Sequence, residues 1–200
     1  MKLLYAGPSP FVRKVLVVLH ETGQLGDVEV TEVATTPVET SDTVKSSNPL
    51  GKIPALEQND GPTLYDSRVI CEFLNARANA TLYSGGWDMK VLEATADGLM
   101  DAAVLMAYEK RLRPQEKQWD EWIAGQREKV LGACAAVNDR WMPLMEGPLN
   151  IGQIGMGCAL GYADFRHSDL GWRDRNQALA DWYARFESRA SMQATALDAA

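Results

Sequence analysis

Two histidines, three cysteines and no long apolar run set the first limits on this 200-residue chain. His20 and His167 have no further candidate ligands at metal-site spacing, so no metal is expected. Cys71, Cys134 and Cys158 lie far apart, and no Cys-x-x-Cys pair occurs. An odd count of this kind points to free thiols in a reducing compartment. No apolar stretch reaches the roughly 18–20 residues that span a bilayer, so no membrane partner is expected. The first residues do not have the layout of a secretion signal: Pro8 and Pro10 interrupt them, and charge returns at Arg13 and Lys14. A cytoplasmic location is the expectation. Basic residues are the minority, 20 Lys and Arg against 27 Asp and Glu, which gives a net charge of −7. Nucleic acid is therefore not an expected partner, because neutralising phosphates needs clustered cations. A local basic patch for a small anion remains open.

What is present divides into two halves of different periodicity. Residues 1–78 read as alternating strands and helices. Lys2–Tyr5 is a short strand, Pro10–Glu21 a helix closed by Gly23, and Val28–Val33 an alternating strand. After a loose connection come two short strands, Pro54–Leu56 and Thr63–Tyr65, around the turn residues Asn59–Asp60–Gly61–Pro62, then a helix over Ser67–Ala78. Residues 79–86, with Ser84, Gly85 and Gly86, read as a linker. Residues 87–200 show only helical spacing, over Trp87–Arg111, Trp119–Trp141, Asn150–Arg166 and Asn176–Arg189. Asn150 and Gln153 open the third of these as a capping-box variant. Most of the six tryptophans fall on these helices, where core packing accounts for them.

Three segments of the first half could carry chemistry. Ser9 lies between the first strand and the first helix, ahead of Pro10. Serine before a first-turn proline is an ordinary helix start. The same hydroxyl could also donate to a bound thiolate, helped by the helix dipole. In Asn48-Pro49-Leu50-Gly51-Lys52-Ile53-Pro54, the last proline sits where a loop meets a strand. A cis bond there would offer the Ile53 backbone to an extended peptide, and Lys52 could meet a carboxylate; an ordinary turn with a solvated lysine is the alternative. In Tyr65-Asp66-Ser67-Arg68, Ser67 and its neighbouring N–H groups could hold a carboxylate and Asp66 an ammonium. Simple capping is again the alternative.

Order, spacing and placement of these segments resemble the glutathione transferases. The stretches SPFVRKV, NPLGKIPAL and DSRVI carry the resemblance in the first half. ADGLMDAAVLMAYEKRLRP and IGQIGMGCALGYADFR followed by LGWRDRN extend it through the second. The resemblance implies a thioredoxin-like (α/β) N-terminal domain followed by an all-helical (all-α) C-terminal domain. It implies a serine-type, bacterial-like cytosolic member, with Ser9 as the activating hydroxyl and no cysteine in that region. Ile53, before a cis Pro54, would pair with the cysteinyl backbone of glutathione. Asp66 and Ser67 would hold its γ-glutamyl amino and carboxylate groups, Lys52 would lie near a carboxylate, and Phe11 would border the thiol. Asn150 departs from the family's usual Ser or Thr, and Ala190 from a frequent Pro; neither touches the proposed chemistry.

The expected function is conjugation of glutathione, as co-substrate, to small and largely hydrophobic electrophiles in detoxification, by a homodimer. Two alternatives stay open: a glutathione-dependent peroxidase or isomerase, and a non-catalytic binding or scaffold protein on the same fold. Leu105, Met106 and Tyr108 could line the electrophile's side, or simply pack their helix.

Overall fold

The computed structural model describes residues 1–197; the last three positions of the expected helical segment, 198–200, lie outside the described residues. The fold is a small three-stranded sheet followed by helices. The chain divides into two compact units: residues 1–83 with the described residues after Gln193, and Ser84–Gln193. No helix among the described residues is long and apolar enough to cross a membrane.

The first unit is built on β1 (Lys2–Tyr5), β2 (Glu29–Glu32) and β3 (Ala55–Glu57), in the order β2-β1-β3. The central strand runs parallel to β2, with Lys2 opposite Glu29 and Tyr5 opposite Glu32. It runs antiparallel to β3, with Lys2 opposite Glu57 and Leu4 opposite Ala55. Leu3 and Leu4 are fully buried. The helix α1 (Pro10–Glu21) returns the chain from β1 and buries Val12, Val15, Val18 and Leu19. It packs against α3 (Ser67–Arg77), which buries Ile70, Cys71 and Leu74.

Two details of this half depart from the expectation. The loose connection contains a short helix, α2 (Asp42–Ser47), with only Val44 and Ser47 buried. Six residues are too few to display a helical period. The expected strand Thr63–Tyr65 contracts to a single antiparallel bridge between Leu56 and Leu64. Pro62 has no N–H to contribute, and the cap of α3 begins at Asp66, so one residue pair is all that fits between them.

The second unit is helical: α4 (Gly86–Leu112), α5 (Asp120–Arg140), α6 (Met142–Met145), α7 (Ile151–Arg166), α8 (Gln177–Phe186) and α9 (Ala190–Ala194), the last reaching the unit's boundary. Every residue of α7 from Ile151 to Leu160 is buried, which explains why its apolar pattern runs round the helix instead of forming a stripe. Its capping box is present: the Asn150 side chain accepts from the Gln153 N–H at 3.0 Å, and the Gln153 side chain accepts from the Asn150 N–H at 3.2 Å. α7 lies close against α4: a Cβ at Gly152 would stand 2.8 Å from Leu92 Cγ. All three cysteines are free and buried. Burial pushes the Cys134 thiol up to about 12, as expected of a packing residue rather than a nucleophile.

Candidate functional site

The strand register brings the three sequence segments to one end of the sheet. β1 ends at Tyr5, and a turn closed by the Ser9 N–H on the Ala6 carbonyl, at 3.0 Å, delivers Ser9 there. Because Leu4 faces Ala55 in an antiparallel pair, the residues entering β3, Ile53 and Pro54, lie beside the residues leaving β1. Leu56 and Leu64 exchange two hydrogen bonds of 2.9 Å, so the chain doubles back. Tyr65, Asp66 and Ser67 then run toward the same end.

Ser9 is the N-cap of α1, in extended conformation (φ −82°, ψ 119°), and its Oγ accepts the Val12 N–H at 3.3 Å. The capping role and a chemical role are compatible in this geometry. The cap uses an oxygen lone pair, whereas the hydroxyl proton has no acceptor among the described residues. The Phe11 N–H is likewise unused there, and Phe11 is half-buried in the first turn. The end of β1 thus presents an O–H, an N–H and the positive end of a helix, a set of donors suited to an anion.

The second segment is held by Asn48, which is 2% exposed. Its side-chain amide donates to the Lys52 carbonyl at 2.8 Å and accepts the Leu50 N–H at 3.0 Å, and its own carbonyl accepts the Gly51 N–H at 2.8 Å. Gly51 has φ +65°, and a Cβ there would meet Thr40 Cγ2 at 2.5 Å, so this turn requires glycine. The Ile53–Pro54 bond is cis. The Ile53 side chain packs on the cluster of Leu4, Val44 and Ala55, while its backbone N–H and C=O make no hydrogen bond among the described residues. A half-buried residue with both backbone groups unused is an edge ready for an extended partner. Lys52 is exposed and without an ion pair among the described residues.

In the third segment Asp66 caps α3, accepting the Arg68 N–H at 3.0 Å and pairing with Arg68 Nη2 at 3.0 Å. The Tyr65–Asp66 bond is also cis. Partial burial opposes ionisation of Asp66. The hydrogen bonds from the Arg68 side chain and backbone, with the charges of Arg68 and Lys14, outweigh it and hold the carboxyl below its ordinary value. Asp66 is therefore a carboxylate at neutral pH. Ser67 is 2% exposed, and its hydroxyl has no hydrogen bond among the described residues. It stands at the first position of α3, where the opening N–H groups of the helix have no partner within it.

Three residues escape the sequence reading. Asn48 is given no role there, yet it organises the loop that delivers Lys52 and Ile53. Arg68 is given none either, yet it fixes the charge of Asp66. Lys14 enters only as a charge near the start of the chain, yet it is fully buried and its charge reaches Asp66. The two cations carry no local sequence signal; Asn48 could have been found as an Asx turn two residues before Leu50.

Comparison with known proteins matches both halves. The family model for the glutathione S-transferase N-terminal domain matches residues 8–77, and that for the C-terminal domain matches residues 120–185. The "Uncharacterized GST-like protein YibF" of Escherichia coli (strain K12) is 32% identical over 187 residues, 86% of each chain. A glutathione transferase family member from Pseudomonas fluorescens Pf-5, solved with bound glutathione, is 43% identical over 99% of each chain, with a TM-score of 0.95. A second structure from that source holds S-(propanoic acid)-glutathione, with 43% identity over the whole of each chain and a TM-score of 0.91. A glutathione S-transferase from Methylobacillus flagellatus KT with bound glutathione is 35% identical, covering 98% of this chain and 99% of that one, at a TM-score of 0.84.

Proposed function

The chain belongs to the glutathione S-transferase family, and on that premise we propose that it activates the thiol of glutathione at Ser9 and conjugates it to the electrophilic carbon of a small acceptor. The observation that carries this reading is the unused hydroxyl proton of Ser9, at the sheet end shared with the Ile53–Pro54 edge and the start of α3. Glutathione lies along that end as an extended strand. Its cysteinyl backbone pairs with Ile53. Its γ-glutamyl carboxylate meets Ser67 and the first N–H groups of α3, its ammonium meets Asp66, and its other carboxylate lies near Lys52. Phe11 borders the sulfur.

A free thiol has a pKa of about 8.5. Bringing it two units lower takes roughly 2.7 kcal/mol of preference for the thiolate. A charge-assisted hydrogen bond from Ser9 supplies about 1.5–3 kcal/mol, and the N-terminus of α1 about 0.3–1 kcal/mol more. The two suffice, without a general base. The thiolate attacks the acceptor carbon, a carbon–sulfur bond forms, and either a leaving group departs with its electron pair or a proton adds to the neighbouring carbon. The relative that holds S-(propanoic acid)-glutathione supports a thioether product of this kind. In this reading the protein is a cytoplasmic homodimer, as the family resemblance implies.

The test is steady-state kinetics of glutathione conjugation. Ser9→Ala should lower kcat while leaving KM for glutathione within a few-fold, because Ser9 acts on the sulfur and not on the peptide. An unchanged kcat would reduce Ser9 to a helix cap. A chain that neither binds nor turns over glutathione would be a binding protein on this fold.

A further inference from the structure

Residues 79–83, which close the first unit, fold back along α3. A Schellman arrangement turns the chain there. The Ala80 N–H donates to the Asn75 carbonyl at 3.0 Å and the Asn79 N–H to the Ala76 carbonyl at 3.1 Å, with Asn79 in the left-handed region at φ 50°. Asn75 then acts a second time: its side-chain oxygen accepts the Leu82 N–H at 2.9 Å. Leu82 is buried, so the returning chain is anchored by packing as well. Between Asn75 and Arg68 the helix rises about 10 Å, a gap that one residue step and a tyrosine side chain cover. The Tyr83 hydroxyl thus reaches the first turn of α3, where it donates to the Arg68 carbonyl at 3.5 Å.

The first turn of α3 is where such a bond matters. Its opening N–H groups have no partner within the helix, and helix ends fray. The Asp66 and Arg68 side chains are 54% and 57% exposed, and an ion pair so open to water fixes little geometry by itself. The Arg68 N–H on the Asp66 carboxylate, at 3.0 Å, is made inside the same turn and is lost whenever that turn opens. The Tyr83 hydroxyl comes from outside the turn, on a segment with anchors of its own. At 3.5 Å the bond is long, which sets its effect at a few-fold rather than a decade.

We propose that Tyr83 is a positioning residue for glutathione. Held by Asn75 and Leu82, it steadies the first turn of α3, and with it the Asp66 carboxylate and the Ser67 hydroxyl that receive the γ-glutamyl group. This rests on the reading of Asp66 and Ser67 given above. Tyr83 acts through the backbone of α3 and touches neither the sulfur nor Ser9. Without its hydroxyl, glutathione itself must order the turn, at the expense of affinity.

Tyr83→Phe removes the hydroxyl and keeps the ring. KM for glutathione should rise about two- to fivefold, the effect of one weak hydrogen bond, while kcat and the pKa of the bound thiol stay at their wild-type values. Cysteinylglycine keeps the thiol and lacks the γ-glutamyl group, so its kcat/KM should be the same for both proteins. An unchanged KM for glutathione would overturn the proposal. So would an equal loss with cysteinylglycine, which would make Tyr83 a general support of the fold. Amide hydrogen exchange reads the same turn with no peptide present. The Arg68 N–H should exchange about two- to fivefold faster in Tyr83→Phe, and the Val15 N–H, within α1, at the wild-type rate. Equal exchange at Arg68 in the two proteins would overturn the proposal even if glutathione binds. If the chain neither binds nor turns over glutathione, the conjugation reading fails on its own. The exchange rates then still decide whether Tyr83 steadies α3.

Discussion

Replacing Asn48 with alanine isolates the loop that presents the Ile53 backbone. The residue is 2% exposed, and its amide makes two hydrogen bonds, to the Lys52 carbonyl at 2.8 Å and from the Leu50 N–H at 3.0 Å. Each is worth about 0.5–1.5 kcal/mol net. Leu50 and Lys52 are exposed enough for water to replace part of what is lost, so Asn48→Ala should cost about 1–3 kcal/mol in all. Some of that ordering must then be supplied by glutathione itself. A share of about 1.4 kcal/mol corresponds to a tenfold rise in Kd. Urea unfolding reads the stability, and calorimetry on the folded protein reads the affinity. The pKa of the bound thiol should stay where it is in wild type, because Ser9 and α1 are untouched. Asn48→Asp should be no better than alanine, since it keeps the acceptor for Leu50 and sets a second acceptor against the Lys52 carbonyl. A variant that loses stability yet binds glutathione as tightly as wild type would refute the reasoning. Asn48 would then hold a turn that has no part in presenting Ile53.

Other positions give independent checks. A Cβ at Gly157 would lie 2.6 Å from Phe186 Cε1, on a ring stacked against Trp182 with centroids 4.5 Å apart. Gly157→Ala should therefore lose about 1–3 kcal/mol to overpacking, offset in part by about 1 kcal/mol of helix propensity; thermal unfolding should show a lowered Tm. Asp66 has a folded-state pKa below its unfolded value, so the stability it contributes is full above the unfolded pKa and is lost as pH falls through the folded one. Asp66→Asn retains a capping oxygen but does not titrate. The difference in unfolding free energy between wild type and this variant should shrink on acidification, and a difference independent of pH would contradict the ion pair with Arg68.

Most of the fold was legible because its elements carry local signals. Ser9 with Pro10 gives the start of α1, Asn150 with Gln153 the start of α7, and the boundaries of α1 and β1 follow from caps and periodicity. The short pieces were not legible. α2 and α6 are too brief for a period to show, and Leu64 pairs through one bridge whose length is set by Pro62 and Asp66. Of the candidate site, the three chain segments could be read, since each joins a strand to a turn or a helix. Their convergence could not, because it depends on which strands pair and in what register. The long-range electrostatics were equally hidden: nothing in the local sequence marks Lys14 as a buried charge.

The account turns on whether the Ser9 hydroxyl stabilises a thiolate. The direct measurement is the ultraviolet absorbance of the thiolate in the glutathione complex across pH, for wild type and Ser9→Ala. The account predicts that wild type titrates about two units below free glutathione. Ser9→Ala should bind glutathione and titrate at least one unit higher than wild type, since about 1.5–3 kcal/mol of thiolate stabilisation is lost. Superimposable curves from the two proteins would contradict it and leave Ser9 as the cap of α1 alone.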